Sequence, residues 1–326
     1  MPRNGSHTPV AEGKSDILRA LPKACSDENA AVEFLEAQRW GDCPACPRCG
    51  DTDVRMMRDK DGNRNARYLW RCYGCKGRQF TVRVGTVMED SPIPLRVWCF
   101  AFWQISAGKK GVSAMQIHRQ TGLSYKSALL MMHRIRLAME DKSPSPLDGV
   151  VEMDETYVGG KPRKGDGKVH KRGRGTSKQP VLAMVERSTP TRKGKVRTRV
   201  VADVRADNLR AALEECVAPS ATIVTDDYRA YPKATKGYAD HRSVTHSAGE
   251  YAREDADGFN VHSNTVEGVF SLLKRGIYGI YHNVSRKHLH RYCTEFEFRY
   301  NTRDMEDGGR IAAAIRGMEG KRLRLA

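Results

Sequence analysis

The sequence predicts a multidomain protein in which a small cysteine-rich module of short strands precedes a helical region and an α/β domain. Two CxxC pairs stand among short alternating runs between residues 43 and 87, and apolar residues follow at helical spacing over 92–140. From residue 150 onward, strand-like runs alternate with helix-like segments, which is typical of an α/β fold. The chain of 326 residues is about twice as long as a typical domain.

Changes in composition divide the chain into six segments. Residues 26–40 have the spacing of a short amphipathic helix, and KSPSPLDG at 142–149 is a linker rich in proline and serine. The expected segments are a tail with this short helix over 1–41, the cysteine-rich module over 42–90, a helix-turn-helix-like region over 91–141, the linker over 142–149, the α/β domain over 150–303 and a C-terminal tail over 304–326.

The charge balance indicates a polyanionic partner. Lysine and arginine number 56 against 39 aspartates and glutamates, a net charge of +17, and such an excess attracts nucleic acid through phosphate contacts and counterion release. The longest apolar run, at 97–103, is too short to cross a bilayer, and residues 1–16 lack the apolar stretch of a secretory signal. Nine cysteines, an odd number, argue against a complete disulfide framework. We therefore expect a cytoplasmic protein with no membrane partner.

The cysteine-rich module has the ligand spacing of a structural zinc site. Cys46 and Cys49 form one CxxC pair, Cys72 and Cys75 form another, and 22 residues separate the pairs. Zn²⁺ takes four ligands in a tetrahedron, and each CxxC turn offers two thiolates. Redox-active or disulfide pairs are the alternative, and Cys43 forms a rival CxxC with Cys46. The sequence thus predicts a zinc ribbon, in which the metal substitutes for a core that so short a segment cannot build. We expect the other cysteines of the chain, Cys25, Cys99, Cys216 and Cys293, to be small core residues.

The helical region contains a candidate helix-turn-helix. Helices are predicted from Pro92 to Gly108, over 113–120 and over 124–140, with a turn at 121–123 between the last two. In that arrangement Tyr125 and Lys126 project from the first turn of a recognition helix toward DNA. An ordinary helical hairpin with solvated charges is the alternative. Nearby basic residues favour DNA, namely Lys109, Lys110, Arg119, His133, Arg134 and Arg136.

The α/β domain carries three acidic residues at informative positions. Strands are predicted at 150–158, 180–186, 196–204 and 221–225, and helices at 207–217, 264–275 and 285–301. Asp154 lies within the first strand, Asp226 directly follows the last one, and Glu267 lies in a helical segment. A carboxylate in or after an apolar strand is costly to bury unless it is paired or binds a cation. Oxygen ligands beside a phosphate substrate favour Mg²⁺ or Mn²⁺, so these residues predict a divalent site for phosphodiester chemistry.

The predicted helix around Glu267 presents one polar face. Asn264, Glu267, Ser271 and Lys274 share that face at a period of 3.6 residues, and Arg275 follows. A carboxylate for metal and a cation for DNA phosphate would then stand on the same side. The alternative for the first pair is a helix cap, and the two aspartates have a parallel alternative as turn residues at strand ends.

A basic loop follows the first strand of the α/β domain. Residues 159–178 contain eight lysines or arginines and one aspartate, and we expect this loop to be disordered when free and to order on DNA. A solvated flexible loop is the alternative. His246 and His262 are candidates for an accessory proton carrier. The loop residues assigned to DNA are Lys161, Arg163, Lys164, Lys171, Arg172 and Arg174.

Several segments, in this order, resemble the DDE transposases of bacterial insertion sequences. The matching segments of the α/β domain are MDETYVGGK (153–161), TDDYRAY (225–231), HSNTVEGVFSLLKRGIYGIYH (262–282) and HLHRYCTEFEFRYNTR (288–303). WGDCPACPRCG (40–50) and YLWRCYGCKGRQFTVRVGTVMEDSPIPLRVW (68–98) resemble the branch in which a zinc ribbon precedes the catalytic domain. The resemblance covers about residues 26–303.

The resemblance implies an RNase H-like catalytic domain, two-metal phosphodiester chemistry and recognition of the element's terminal repeats. The residues that match the family's catalytic positions are Asp154, Asp226 and Glu267 as the triad and Lys274 as the basic residue seven positions after the glutamate. Asp227 adjoins Asp226, but Asp226 directly follows the apolar strand as the family's second aspartate does. Phe270 stands where the family usually has tryptophan, so an aromatic residue is retained.

The expected function is therefore that of a transposase acting on double-stranded DNA. The resemblance implies cleavage at the element's ends and joining of the 3′-hydroxyls to target DNA, by a homo-oligomer assembled on DNA in a bacterial nucleoid. Mg²⁺ or Mn²⁺ would serve catalysis and Zn²⁺ the ribbon. The alternatives are a DNA-binding regulator with an inactive catalytic domain and an RNase H-like nuclease without strand transfer.

Overall fold

A computed structural model of the protein describes residues 12–160, 176–245 and 248–323. The chain divides into two compact units, one combining Met1–Glu140 with Met305–Ala326 and the other formed by Asp141–Asp304. Numbered in chain order, the α-helices of the described residues are α1 (Glu12–Ser26), α2 (Glu28–Trp40), α3 (Leu95–Ala107), α4 (Ala114–Thr121), α5 (Tyr125–Ala138), α6 (Ala206–Cys216), α7 (Tyr231–Ala234), α8 (Asn264–Gly276), α9 (Leu289–Asn301) and α10 (Asp307–Arg316). The strands are β1 (Val54–Met56), β2 (Trp70–Cys72), β3 (Arg78–Phe80), β4 (Val150–Val158), β5 (Gln179–Glu186), β6 (Val196–Val200), β7 (Thr222–Asp226), β8 (Asp240–Val244), β9 (Ala252–Glu254) and β10 (Asn260–His262). In these residues no helix is long and apolar enough to serve as a membrane span.

The cysteine-rich module is a small three-stranded antiparallel sheet in the order β1-β2-β3. Its apolar side holds Trp70 and Phe80, which pack edge-on against Trp40 at ring-centroid distances of 5.8 and 5.9 Å. Few other apolar side chains join this cluster, so the sheet depends on a further cross-link for stability.

The predicted helices of the 91–141 region are present as α3, α4 and α5. Gly122 ends α4 in the left-handed conformation at φ 71°, and the hydroxyl of Ser124 caps α5 by accepting from the Ser127 amide at 3.1 Å. Three basic side chains expected near DNA are instead buried: His133, Arg134 and Arg136. Arg134 donates to the carbonyls of Val87 and Glu89, so it stabilises the first unit and is not available to phosphates.

The expected tails of the first unit contain helices. The segment 304–326, interpreted from sequence as a tail, contains α10, and the segment before residue 26 contains α1. Ile311 and Ile315 are fully buried, and their spacing of four residues places both on one face of α10. The interpretation as a tail was wrong because the intervening alanines and the paired glycines masked a short apolar stripe.

The second unit is built on a five-stranded mixed sheet in the order β6-β5-β4-β7-β8. β5 lies antiparallel to β4 and β6, whereas β7 is parallel to both β4 and β8. The crossover through α6 brings β7 back beside β4 in parallel. This mixed α/β sheet is consistent with an RNase H-like core.

Alternation along β4 sends successive side chains to opposite layers. Val151 and Met153 pack with Leu209 and Leu213 of α6 on one face. The even-numbered residues of β4 face α8 and α9 instead. Among them, Val158 packs with Leu273 of α8 and with Leu289 of α9. Glu152 and Asp154 share the register of Val158, so the face toward α8 receives both carboxylates.

Candidate functional site

Four cysteines of the ribbon form a metal-ligand set. Their sulfur atoms all lie within 4.8 Å of one another, with 3.9 Å between Cys46 and Cys75 and 3.6 Å between Cys49 and Cys72. Zn–S bonds of about 2.3 Å in a tetrahedron require sulfur separations of about 3.8 Å, so the set fits zinc. The rival ligand Cys43 is exposed and lies outside this group.

Topology brings the three predicted carboxylates of the second unit toward one another. Asp154 lies in the middle of β4 and Asp226 is the last residue of the adjacent parallel strand β7. Glu152 pairs with Val224, so each aspartate stands two residues beyond this pair on its own strand. Glu267 lies in the first turn of α8, on the helix that packs over this face.

Electrostatics supports the proximity of these groups. Burial and, after it, the charges of Glu155, Asp226 and Glu267 together raise the pKa of the Asp154 carboxyl to about 7. The Glu155 amide opposes this shift by donating to Oδ1 at 2.7 Å. A divalent cation would offset this repulsion, and a set of carboxylate oxygens suits Mg²⁺ or Mn²⁺. Among the described residues, the four cysteines form the one group of three or more His, Cys, Asp or Glu side chains arranged closely enough to hold a metal ion, so Asp154, Asp226 and Glu267 are not drawn into a comparably closed set.

The choice between Asp226 and Asp227 follows from their surroundings. Asp226 is partly buried, and its Oδ1 accepts from the Tyr228 amide at 3.0 Å, whereas Asp227 is exposed. Beside them the fully buried Tyr231 donates its hydroxyl to Glu155 Oε2 at 2.8 Å. Sequence patterns did not single out Tyr231 or Glu155, although Glu155 adjoins Asp154.

Helix α8 presents the polar face that the sequence predicts. Asn264, Glu267, Ser271 and Lys274 are all exposed, and the buried residues are Val266, Val269, Phe270, Leu273 and Gly276. The alternative that Asn264 and Glu267 form a helix cap is wrong, because Ser263 is the N-cap residue. The first helical amides are instead satisfied by Glu152, whose Oε2 accepts from Thr265 at 2.8 Å and from Val266 at 3.0 Å.

The structure describes some of the predicted DNA-contacting residues and leaves the others outside its described ranges. Tyr125 and Lys126 are exposed at the start of α5, and Lys274 and Arg275 are exposed in the last turn of α8. The loop residues Lys161, Arg163, Lys164, Lys171, Arg172 and Arg174, like His246, lie outside the described residues.

His262 lies beside Glu152, the carboxylate that accepts the first amides of α8. Its Nδ1 lies 3.1 Å from Glu152 Oε1. Burial and the neighbouring Arg187 lower the pKa of His262, so the ring is neutral at neutral pH. A position beside a buried carboxylate and an arginine favours a role within the fold.

A four-cysteine ribbon, a mixed α/β sheet and acidic side chains on its adjacent strands β4 and β7 and on α8 are the features expected of a zinc-ribbon transposase. Residues 146–301 match the ISXO2-like transposase domain, and residues 26–78 match the transposase zinc-ribbon domain. An uncharacterized protein in transposable element ISH50 of Halobacterium salinarum is 31% identical over 288 residues, covering 85% of this chain and 92% of that protein. The chain belongs to the ISXO2-like transposase family, which confirms the resemblance to insertion-sequence transposases.

Among solved structures, the cryo-EM structure of a simian T-cell lymphotropic virus intasome in complex with PP2A regulatory subunit B56 gamma contains a matching chain. The match has a TM-score of 0.27 and 15% identity, and covers 59% of this chain and 66% of that chain. Because this TM-score is low, the family assignment rests on the sequence matches alone.

Proposed function

We propose that this protein is an active DNA transposase that cleaves phosphodiester bonds at the ends of its own insertion sequence and joins the 3′-hydroxyls to target DNA. Asp154, Asp226 and Glu267 would hold the catalytic metal ions, and Lys274 would contact a phosphate of the bound strand. The observation that carries this proposal is the charge cluster at Asp154, a half-buried carboxylate of β4 whose pKa is raised in part by the charges of Glu155, Asp226 and Glu267, in a transposase-family chain.

The residues of the site have distinct roles in this reaction. A pair of Mg²⁺ or Mn²⁺ ions, when bound, supplies Lewis acidity to the attacking and leaving oxygens of an in-line displacement. Asp154 and Asp226 fix one side of the site from adjacent strands, and Glu267 closes it from α8. Lys274, two turns beyond Glu267 on the same exposed face, neutralises phosphate charge. Catalysis then rests on positioning and charge stabilisation with no covalent enzyme intermediate.

Residues of both units would recognise and retain DNA. The exposed Tyr125 and Lys126 stand at the amino end of α5, the position from which a recognition helix contacts bases. The basic loop at 159–178 and Arg275 would hold backbone phosphates, and a structural Zn²⁺ would hold the ribbon. Two element ends must be brought together for joining, so a homo-oligomer on nucleoid DNA in the cytoplasm is the proposed active form.

The test uses purified zinc-bound protein and linear DNA carrying the flanks of its own gene. Strand cleavage and joining into a plasmid are measured with Mg²⁺, with Mn²⁺ and without either ion. Asp154→Asn should reduce cleavage by at least about a thousandfold while end binding is retained, because the metal ligand is lost but the DNA-binding surfaces remain. Asp227→Asn, which alters the exposed neighbour of Asp226, is the matched control and should cleave normally.

The alternatives give different results. Specific binding without metal-dependent cleavage would indicate a regulator with an inactive catalytic domain. Cleavage without joining would indicate a nuclease. Wild-type cleavage rates in Asp154→Asn would contradict the assigned site itself.

A further inference from the structure

The amino end of α8 is held by a buried carboxylate from the strand that carries Asp154. Glu152 is completely buried, and its two carboxylate oxygens accept hydrogen bonds from different donors. Oε2 accepts the amides of Thr265 and Val266, and Oε1 accepts the Thr265 hydroxyl at 2.8 Å. The carboxylate therefore occupies the place of a capping side chain while belonging to a residue more than one hundred positions away in sequence.

Arg187 fixes this carboxylate and the segment that leads into the helix. Its Nε donates to Glu152 Oε1 at 2.7 Å, and its other nitrogens donate to the carbonyls of Asn260 at 2.6 Å and His262 at 2.7 Å. The Arg187 amide also donates to the Val150 carbonyl at 2.8 Å. One arginine thus joins β4, the end of β5 and β10 around the same buried charge, which makes the whole junction rigid.

We propose that Glu152 is a positioning residue that sets the place of Glu267 relative to Asp154. Glu152 lies two residues before Asp154 on the same face of β4, and Val266, whose amide it holds, directly precedes Glu267. The hydrogen bonds from Glu152 to the start of α8, together with the β4 backbone between Glu152 and Asp154, therefore set the spacing of the two proposed metal ligands. This inference rests on the transposase function proposed above, because it assigns Glu267 to the metal site.

A calorimetric titration with Mn²⁺ tests the proposal without DNA or catalysis. Zinc-bound wild type is compared with Glu152→Gln, Glu267→Gln and the double variant. We expect Glu152→Gln to weaken Mn²⁺ binding roughly tenfold, as the loss of a residue that orients a ligand does in metalloenzymes. If Glu152 acts through Glu267, the double variant should bind little more weakly than Glu267→Gln alone, whereas independent effects would multiply.

Glu297→Gln is the matched control for losing a partly buried, hydrogen-bonded carboxylate elsewhere in the same unit. Glu297 of α9 accepts from the amide and hydroxyl of Thr198 at 2.9 and 3.0 Å, on the edge strand β6. This variant should lose stability but bind Mn²⁺ as the wild type does. If Glu152→Gln does not fold, Thr265→Ala removes one of the hydrogen bonds to Glu152 and should weaken Mn²⁺ binding by a smaller factor.

The outcomes separate this proposal from the function on which it rests. Wild-type protein that binds no Mn²⁺ would overturn the metal site and the proposed function together. Three results would overturn the positioning role alone. They are normal Mn²⁺ binding by folded Glu152→Gln, losses of Mn²⁺ affinity that multiply in the double variant, and an equal loss of affinity in Glu297→Gln.

Discussion

Asp154→Asn should make the magnesium-free protein more stable at alkaline pH. Burial and neighbouring carboxylates raise the pKa of the Asp154 carboxyl from 3.8 to about 7 in the folded state. Because the folded state then binds more protons than the unfolded chain between these values, stability falls as pH rises through that window and stays low above it. Each pH unit in the window corresponds to about 1.4 kcal/mol. From pH 5.5 to about 7 the wild type therefore loses roughly 2 kcal/mol from this group, and Asp154→Asn does not.

Urea unfolding at pH 5.5 and pH 8.5 measures this difference. The protein is loaded with one equivalent of zinc, and magnesium is left out of the buffer. A strong chelator is not used to remove magnesium, because it would also remove zinc from the ribbon. The four tryptophans of the chain, Trp40, Trp70, Trp98 and Trp103, all belong to the first unit, so their fluorescence is an internal control. Far-UV circular dichroism follows both units and should show the shift in its second-unit component.

Two observations would refute the reasoning behind this prediction. One is an equal dependence of stability on pH in wild type and Asp154→Asn. The other concerns magnesium, which should stabilise the wild type at pH 8.5 by binding the folded state and should have little effect on the variant. An equal response of both proteins to magnesium would place the ion elsewhere.

Three further predictions concern the ribbon, the α8 helix and DNA binding. Cys43→Ser should still bind one zinc per chain in a colorimetric zinc assay, and removal of zinc should shift tryptophan fluorescence toward that of the unfolded ribbon; loss of zinc from Cys43→Ser would contradict the four-ligand set. Gly276→Ala should lower the free energy of unfolding by about 1–3 kcal/mol, because a Cβ there would lie 1.9 Å from the Phe296 ring, whereas Gly268→Ala in the same helix meets nothing within 4 Å and should be neutral or stabilising. Lys126→Ala should weaken DNA binding and reduce the slope of log affinity against log salt by about one; an unchanged slope would exclude a phosphate contact by Lys126.

The sequence predicts the parts of the second unit that have strong apolar patterns. β4, β5, β7 and α8 are found close to their predicted ranges because each combines a clear period with an identifiable end. β8 was missed, since its residues DHRSV contain a single apolar side chain, Val244, and the strand forms through pairing with β7. The hairpin of β9 and β10 was missed for a different reason: strands of three residues have too few positions to show alternation.

For the candidate site, the individual carboxylates could be identified from the sequence, but the residues that support them could not. Asp154, Asp226 and Glu267 stand beside or within apolar segments that reveal them, and they remain predictions as metal ligands. Glu152 occupies a similar position on β4, but its partners Arg187 and Thr265 are distant in sequence. They contact Glu152 only once α8 has packed on the sheet. Pairing of this kind depends on tertiary structure and leaves no local signal.

Three acidic residues of β4 are accommodated in different ways, and the differences identify their roles. Glu152 is stabilised by Arg187 and the amides of α8, and Glu155 accepts a hydrogen bond from Tyr231. Burial and the like charges around Asp154 raise its pKa and destabilise the folded state above neutral pH. Groups kept in unfavourable surroundings are typical of functional sites, because a ligand removes the penalty on binding. β4 therefore uses two carboxylates to build the fold, and the third, Asp154, is the one that we propose as a cation ligand.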